Sequence, residues 1–524
     1  MKASCLKQSL IPGTSHLFSD YLYNFDRVSR FYIGDAFSPE SYVTAAQQIQ
    51  YPSERRARLV EVLAKQNPGS QSLQALARPE TVAVVTGQQV GLFSGPAYTI
   101  YKALTAVRLA RRLTEQGRAA VPIFWLATED HDVDEVDHVW TFGPDSDPRK
   151  LIAKCEPTQG PAGSAVLTDV PIEELASSLA HLPYGQDVVN RVKKAYYPGA
   201  TLGAGFRQLL NELLEGLGLL LLDPLDPDIR NTAAPFLAEA AHAAPHLVEL
   251  LRERDAELSA AGYHSQVHVE KDTSPFFLLD RGRRVSLKLR DGRFVSRNGS
   301  YSAGDLQARA ADISPNALLR PVMQDYLLPT VAYVGGPAEV AYMAQAQVIY
   351  RELLGRMPVI VPRNGFTLLN SRATRLLGRY GLQVQDLLDH HDRVQSRIAK
   401  RLVPPQIEES FKAVRETVAG RLAELRSELS RLDPTLVAAA HKSEAKMLYQ
   451  LDKLARKGAR AAMERTAHAT EGANFLMNIV YPHGHLQERF YTILPFLAQY
   501  GFDLIPRLTA QAQLDCPDHM IRTV

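Results

Sequence analysis

The 524-residue chain reads as an α/β protein with a parallel-sheet core and a long antiparallel helical hairpin. Three observations predict this. The β-branched run Thr81–Val85 is followed by helically spaced Ile100, Leu104, Val107 and Leu113 within 97–113, then by a second apolar run at 121–127. Strand, helix, strand implies a right-handed crossover and parallel pairing. The same pattern returns as Thr330–Val334, a helix over 338–354, and a strand over 358–361. Lastly, Ile407, Phe411, Val414, Val418, Leu422, Leu425, Leu429 and Leu432 step by threes and fours between charged residues, the seam of a coiled coil.

Composition narrows the class. Hydrophobic residues make up 45% and charged residues 22%, enough apolar surface to offset ordering entropy, so a disordered chain is excluded. A net charge of +2 offers no general field for nucleic acid or anionic lipid. Cys5, Cys155 and Cys516 form neither a disulfide framework nor a Cys-x-x-Cys pair, so no structural zinc is expected and a reduced compartment fits. The N-terminus is too polar for a signal peptide, and the most apolar run, Leu217–Leu222, is only a strand's length. A cytoplasmic protein with neither membrane nor nucleic-acid partner is expected.

The remaining elements follow in order. Residues 1–140 hold the first part of the core. Residues 141–205, richer in Pro, Gly and small polar residues, read as an insertion. The core continues over 206–384, with a buried strand at Gly218–Asp223, an Ala-rich helix over Phe236–Leu258, and small β-hairpins at about 265–300 around Arg-Gly and Asp-Gly turns. The helical hairpin occupies 385–470, broken at Asp433-Pro434 and resumed by Leu448, Leu451, Ala455, Ala459 and Ala462. The last segment, 471–524, docks back on the core. Such a seam can also pair with a second subunit.

Four clusters could carry chemistry. The loop Thr86–Tyr98 leaves a strand and enters a helix, where open parallel sheets bind ligands. It fits neither Walker A nor G-x-G-x-x-G, and a plain glycine-rich turn is the bland alternative. Gln88, Gln89, Ser94, Tyr98 and Lys102 are its side chains able to face a ligand. The run Glu129, Asp130, His131, Asp132, with Asp134, Asp137 and His138 beyond, ends the next strand. It suits ammonium recognition, proton transfer, a dinuclear metal site, or simply an acidic helix start. The turn Gly335-Gly336-Pro337 opens a helix bearing Glu339 and Tyr342. It is either an anion and amine cradle or a tight turn with Pro at the first helical position, and Arg363 beyond it could pair with a carboxylate or phosphate. Finally, His483, Gly484, Gln487 and Arg489 suit either a nucleotide-contacting loop or a helix entry.

The blocks VVTGQQVGLFSGPAYTIYKA, WLATEDHDVDEVDH, YVGGPAEVAYMAQ and YPHGHLQERFY, in this order through nearly the whole chain, resemble the cysteine ligase family of bacillithiol biosynthesis. The resemblance implies a Rossmann-like core akin to class I aminoacyl-tRNA synthetases, with connective-peptide insertions and an antiparallel coiled coil that can dimerise. It implies ATP-dependent joining of cysteine to glucosaminyl-malate, with magnesium accompanying the nucleotide. Under it, Ser94, Gly95 and Tyr98 lie near the reacting carboxyl and phosphate groups, and Gln88 and Gln89 orient substrate. Glu129, Asp130 and His131 bind the amine, with His131 as general base and Asp132 beside them. Gly335, Gly336 and Glu339 close the opposite wall, and His483 to Arg489 form a second nucleotide site. Two synthetase signatures are missing: Phe93-Ser94-Gly95-Pro96 stands where the HIGH signature would, and no Lys-Met-Ser-Lys-Ser loop is present. The competing readings are a metal-dependent hydrolase using Asp130, His131, Asp132 and His138, and a non-catalytic nucleotide-binding scaffold.

Overall fold

The computed structural model describes residues 3–156, 160–297, 299–466 and 468–524; residues 157–159 of the expected insertion lie outside this description. Its centre is a sheet of five strands: β1 (Val82–Gln89), β2 (Ala120–Ala127), β3 (Leu220–Leu222), β4 (Thr330–Gly335) and β5 (Val359–Pro362). All neighbours are parallel, in the order β5-β4-β1-β2-β3. Strands covered on both faces must be apolar throughout, which is why they read as continuous runs rather than alternations. Val84, Val85, Ile123, Phe124, Val331 and Val334 are wholly buried.

The chain moves outward from β1 to β2 and β3, then returns to lay β4 on the other side of β1. That reversal opens a crevice at the carboxyl ends of β1 and β4. Helix α1 (Tyr98–Glu115) links β1 to β2, and α3 (Pro337–Leu353) links β4 to β5. Between them α2 (Pro227–Ala260) begins well before the expected Phe236, because Asp226 caps it by accepting from the Asp228 and Ile229 amides at 2.9 and 3.4 Å.

The turn from β1 into α1 is unusual. Phe93, Ser94 and Gly95 have φ of 51°, 71° and 64°, three consecutive residues in the left-handed region. Long-range bonds hold this turn: Thr492 Oγ1 donates to the Phe93 carbonyl (3.0 Å) and the Ala97 amide to the Tyr491 carbonyl (2.8 Å). The acidic run after β2 does not start a helix; it forms turns leading to strand His138–Phe142. The expected small hairpins are a five-stranded antiparallel sheet in which Ile313–Pro315 joins the edge of Thr273–Asp280. A strand outside the expected span supplies that edge, so hairpin turn signals alone could not show it.

By contacts the chain forms two units. The sheet and its surroundings comprise 3–367 and 488–521; the second unit comprises 368–487 and 522–524. The second contains the hairpin, α4 (Pro405–Leu432) and α5 (Leu436–Arg465), broken at Asp433-Pro434. Along α4, Phe411, Val418, Leu422 and Leu429 are half-buried, with spacings of seven, four and seven. Ile407, Val414, Leu425 and Leu432 are exposed. The eight positions therefore form two stripes, and one seam uses only half of them. Arg426 and Glu444 (2.6 Å) and Arg415 and Asp452 bridge the two helices. No helix among the described residues is long and apolar enough to cross a membrane.

Candidate active site at the strand reversal

A cavity of about 550 Å³ lies at the carboxyl ends of β1, β2 and β4. Gly87, Gln88 and Gln89 enter it from β1, Ala127, Glu129 and Asp130 from β2 and the turn after it, and Gly336, Glu339 and Tyr342 from the β4–α3 junction. Three turns distant in sequence thus share one rim. The volume suits a small-molecule site.

Lys102 and Glu339 hold the β1 and β4 sides together. Lys102 Nζ donates to the Gly87 carbonyl and to Gln88 Oε1, both at 2.9 Å, and forms an ion pair with Glu339. Glu339 also accepts from Tyr333 Oη (2.6 Å) and from the Gly336 amide (2.8 Å). Burial would raise the Glu339 carboxyl, but Lys102 and these hydrogen bonds outweigh it and hold the carboxyl below its usual range, hence ionised. Burial draws the Lys102 ammonium down, against the pull of Glu339.

Arg363, behind the same wall, pairs with Glu488 at 2.7 Å, and its guanidinium lies 5.1 Å from the Tyr98 ring centre. Glu488 is buried and also accepts from the Phe366 amide (2.8 Å). Arg320 donates to Tyr342 Oη at 3.0 Å. Arg489 lines the cavity with its side chain exposed.

The β2 side is acidic. Glu129 is buried and paired with Arg230, whose Nε and Nη2 are anchored on the Ala311 and Ile313 carbonyls at 2.7 and 3.1 Å. Burial raises the Glu129 carboxyl against that pairing. Asp130 accepts from Gln89 Nε2 (2.5 Å) and from the His131 amide (2.8 Å). Burial acts to raise the Asp130 carboxyl, but those bonds and Arg284 hold it low. Arg284 lies 4.0 Å from the Phe277 ring centre and donates to the Pro315 carbonyl at 2.9 Å. Five cations, Lys102, Arg284, Arg320, Arg363 and Arg489, therefore face three carboxylates, Glu129, Asp130 and Glu339.

The expected residues divide as follows. Gln88, Gln89, Tyr98, Glu129, Asp130, Gly336, Glu339, Tyr342, Arg363 and Arg489 line the cavity. Ser94 and Gly95 do not; the Ser94 hydroxyl is wholly buried with no hydrogen-bond partner among the described residues. The left-handed turn directs it into the protein, against the expectation that it meets reacting groups. His131 and Asp132 also stand outside the lining, with His131 half-exposed at the rim, its Nδ1 3.3 Å from Asp130 and 3.2 Å from Arg284. Gly335 is covered by Glu339, whose Cβ would lie 2.9 Å from an added Cβ. Among the described residues no three His, Cys, Asp or Glu side chains gather as a metal site; His138 pairs with Asp137 at 2.9 Å instead. Of the fourth cluster, His483 and Gly484 form an exposed turn in the second unit. Gln487 is buried there, its amide spent on the Leu368 backbone (2.7 and 3.0 Å) and the Ile479 carbonyl (2.7 Å). Arg230, Arg284 and Arg320 escaped sequence reading because no motif surrounds them; the arginine-rich hairpin turn at Arg281–Arg284 was the one signal available.

A parallel sheet in this strand order, with a charged crevice at its reversal point, defines a Rossmann-like enzyme, here carrying a coiled-coil domain. Family comparison agrees: residues 1–364 match the bacillithiol biosynthesis BshC N-terminal Rossmann-like domain and 366–523 the BshC C-terminal coiled-coil domain. The chain belongs to the BshC family of bacillithiol biosynthesis. It is 48% identical to a protein of Solibacter usitatus over all of both chains. It is 37% identical to one of Koribacter versatilis over 99% of each, and 32% identical to one of Symbiobacterium thermophilum over 94% of this chain and 91% of that one. All three bear the name "Putative cysteine ligase BshC".

Proposed function

We propose that the chain is an ATP-dependent ligase joining the carboxyl group of cysteine to the amine of glucosaminyl-malate, the step that yields bacillithiol. The observation that carries this reading is the charged cavity, whose lining brings Lys102, Arg284, Arg320, Arg363 and Arg489 together with Glu129, Asp130 and Glu339. Amide formation from a carboxylate and an amine needs both kinds of charge. Carboxylate and phosphate groups belong at the arginines, where charge-assisted and bidentate hydrogen bonds are available. The sugar ammonium belongs beside Asp130, which its neighbours keep ionised.

The cysteine carboxylate attacks the α-phosphorus of ATP and expels pyrophosphate; the neutral amine then attacks the activated acyl carbon, forming the amide and expelling AMP. By analogy with class I synthetases the activated form is an adenylate. His131, its Nδ1 beside Asp130, is the proposed acceptor of the amine's proton. The cavity's carboxylates are already engaged with protein cations and amides, so magnesium enters as the counter-ion of the phosphates rather than in a protein cage. The α4–α5 hairpin, with Leu432 78% exposed, is the proposed homodimer contact.

Purified protein incubated with ATP, magnesium, cysteine and glucosaminyl-malate tests the reading by mass spectrometry. Bacillithiol with AMP supports the adenylate, and bacillithiol with ADP replaces it with an acyl phosphate. No bacillithiol under any nucleotide condition refutes the ligase.

A further inference from the structure

The proposed reaction uses none of the chain's own thiols, yet two of them, from opposite ends of the sequence, stand together. Cys5 lies in strand Ala3–Leu6, which is hydrogen-bonded to the strand that begins at His519, three residues beyond Cys516. The Cys5 Sγ is 4.0 Å from Gln513 Oε1, and the Cys5 thiol is near enough to Cys516 to help raise it. Tyr23 ties the same two segments together: its Oη donates to Asp518 Oδ1 (2.7 Å) and accepts from the Gln8 amide (2.8 Å). Cys5 is exposed, Cys516 half-buried, and both are free thiols.

We propose that Cys5 and Cys516 form a redox-active dithiol that closes to an intramolecular disulfide on reaction with a low-molecular-weight disulfide. The exposed Cys5 thiolate attacks one sulfur of the small disulfide, forming a mixed disulfide and releasing one small thiol. Cys516, already beside it, then attacks Cys5 Sγ and releases the second small thiol. Two protein thiols are oxidised and one small disulfide is reduced to two thiols. Burial raises the Cys516 thiol, which leaves Cys5 as the entry point and Cys516 as the resolving partner. The closed bond joins the two ends of the chain and so removes loop-closure entropy from the unfolded state. It also bears on the cavity wall, because Asn364, next to Arg363, donates from Nδ2 to the Gln513 carbonyl at 2.8 Å.

The test is incubation of the full chain with cystine, acid quenching, digestion and mass spectrometry, with the Cys516→Ser and Cys155→Ser variants alongside. The expected wild-type product is a peptide pair linked through Cys5 and Cys516, two hydrogens lighter than the reduced peptides, with a raised thermal midpoint that dithiothreitol reverses. Cys155→Ser gives the same product, whereas Cys516→Ser retains a cysteinyl adduct on Cys5. A stable cysteinyl adduct on Cys5 of the wild type, a linkage through Cys155, or two thiols that stay alkylatable at equilibrium overturns the proposal.

Discussion

Lys102 on α1 and Glu339 on α3 form a buried ion pair between the two helices that leave β1 and β4. The pair sits at the strand reversal; Lys102 also donates to the Gly87 carbonyl within β1, and Glu339 accepts from the Gly336 amide just after β4. It therefore fixes the width of the crevice as well as its charge.

Removing Lys102 leaves the half-buried Glu339 carboxylate without its counter-charge. Lys102→Met is expected to destabilise the chain by about 3–5 kcal/mol. The double variant with Glu339→Gln should lose less than the sum of the single changes. Urea denaturation of the three variants gives the coupling energy, and strict additivity would contradict the pairing.

Acid should unfold the protein through its depressed carboxyls. Glu339 and Glu488 sit below their ordinary 4.5, and Asp130 below 3.8. Their stabilisation is present above the ordinary values and is lost as pH falls through the lowered ones, because the unfolded chain then binds more protons. Urea midpoints measured from pH 6 to pH 3 should fall steeply, and Glu488→Gln should flatten that fall.

Arg489 and Arg363 should separate binding from folding. Arg489→Ala removes an exposed cation and is expected to raise KM for an anionic substrate roughly tenfold or more, with an unchanged Tm. Arg363→Met strands buried Glu488, so it should lower Tm as well. Equal Tm losses in both variants would argue against these placements.

Gly87 is needed for close strand approach. A Cβ there would lie 2.7 Å from the Trp125 carbonyl oxygen, which is backbone and cannot swing aside. Gly87→Ala should cost about 1–3 kcal/mol and displace Gln88 and Gln89 from the cavity. Thermal denaturation together with substrate titration checks both effects.

Ser94 offers the opposite expectation. Its hydroxyl is buried without a partner among the described residues and away from the cavity, so Ser94→Ala should change stability by less than about 1 kcal/mol and leave turnover near wild type. A collapse of kcat with an unchanged Tm would return this serine to the chemistry.

Local pattern carried far because each central strand is covered on both faces and each connecting helix is amphipathic or buried. Burial enforces exactly the apolar runs and helical spacings that a reader can see along the chain. The break at Asp433-Pro434 was equally plain, since proline cannot continue a helix. The three turns at the strand ends were visible too, because parallel topology puts every such end on one side.

What required the folded chain was direction and partnership. No motif near Arg230 or Arg320 announces a crevice, and at Arg284 only the arginine-rich turn hints at one; the antiparallel sheet and the segment after it carry Arg284 and Arg320 there, and α2 brings Arg230 to Glu129. Ser94 turns inward because Tyr491 and Thr492, some four hundred residues away, clamp its loop in a left-handed path. Order along the chain was enough to establish the strands, the helices and the rim they share, because backbone propensity and burial act over a few residues. Which side chains look into that rim, and which thiols meet, depended on packing between remote segments, whose energy no local pattern records.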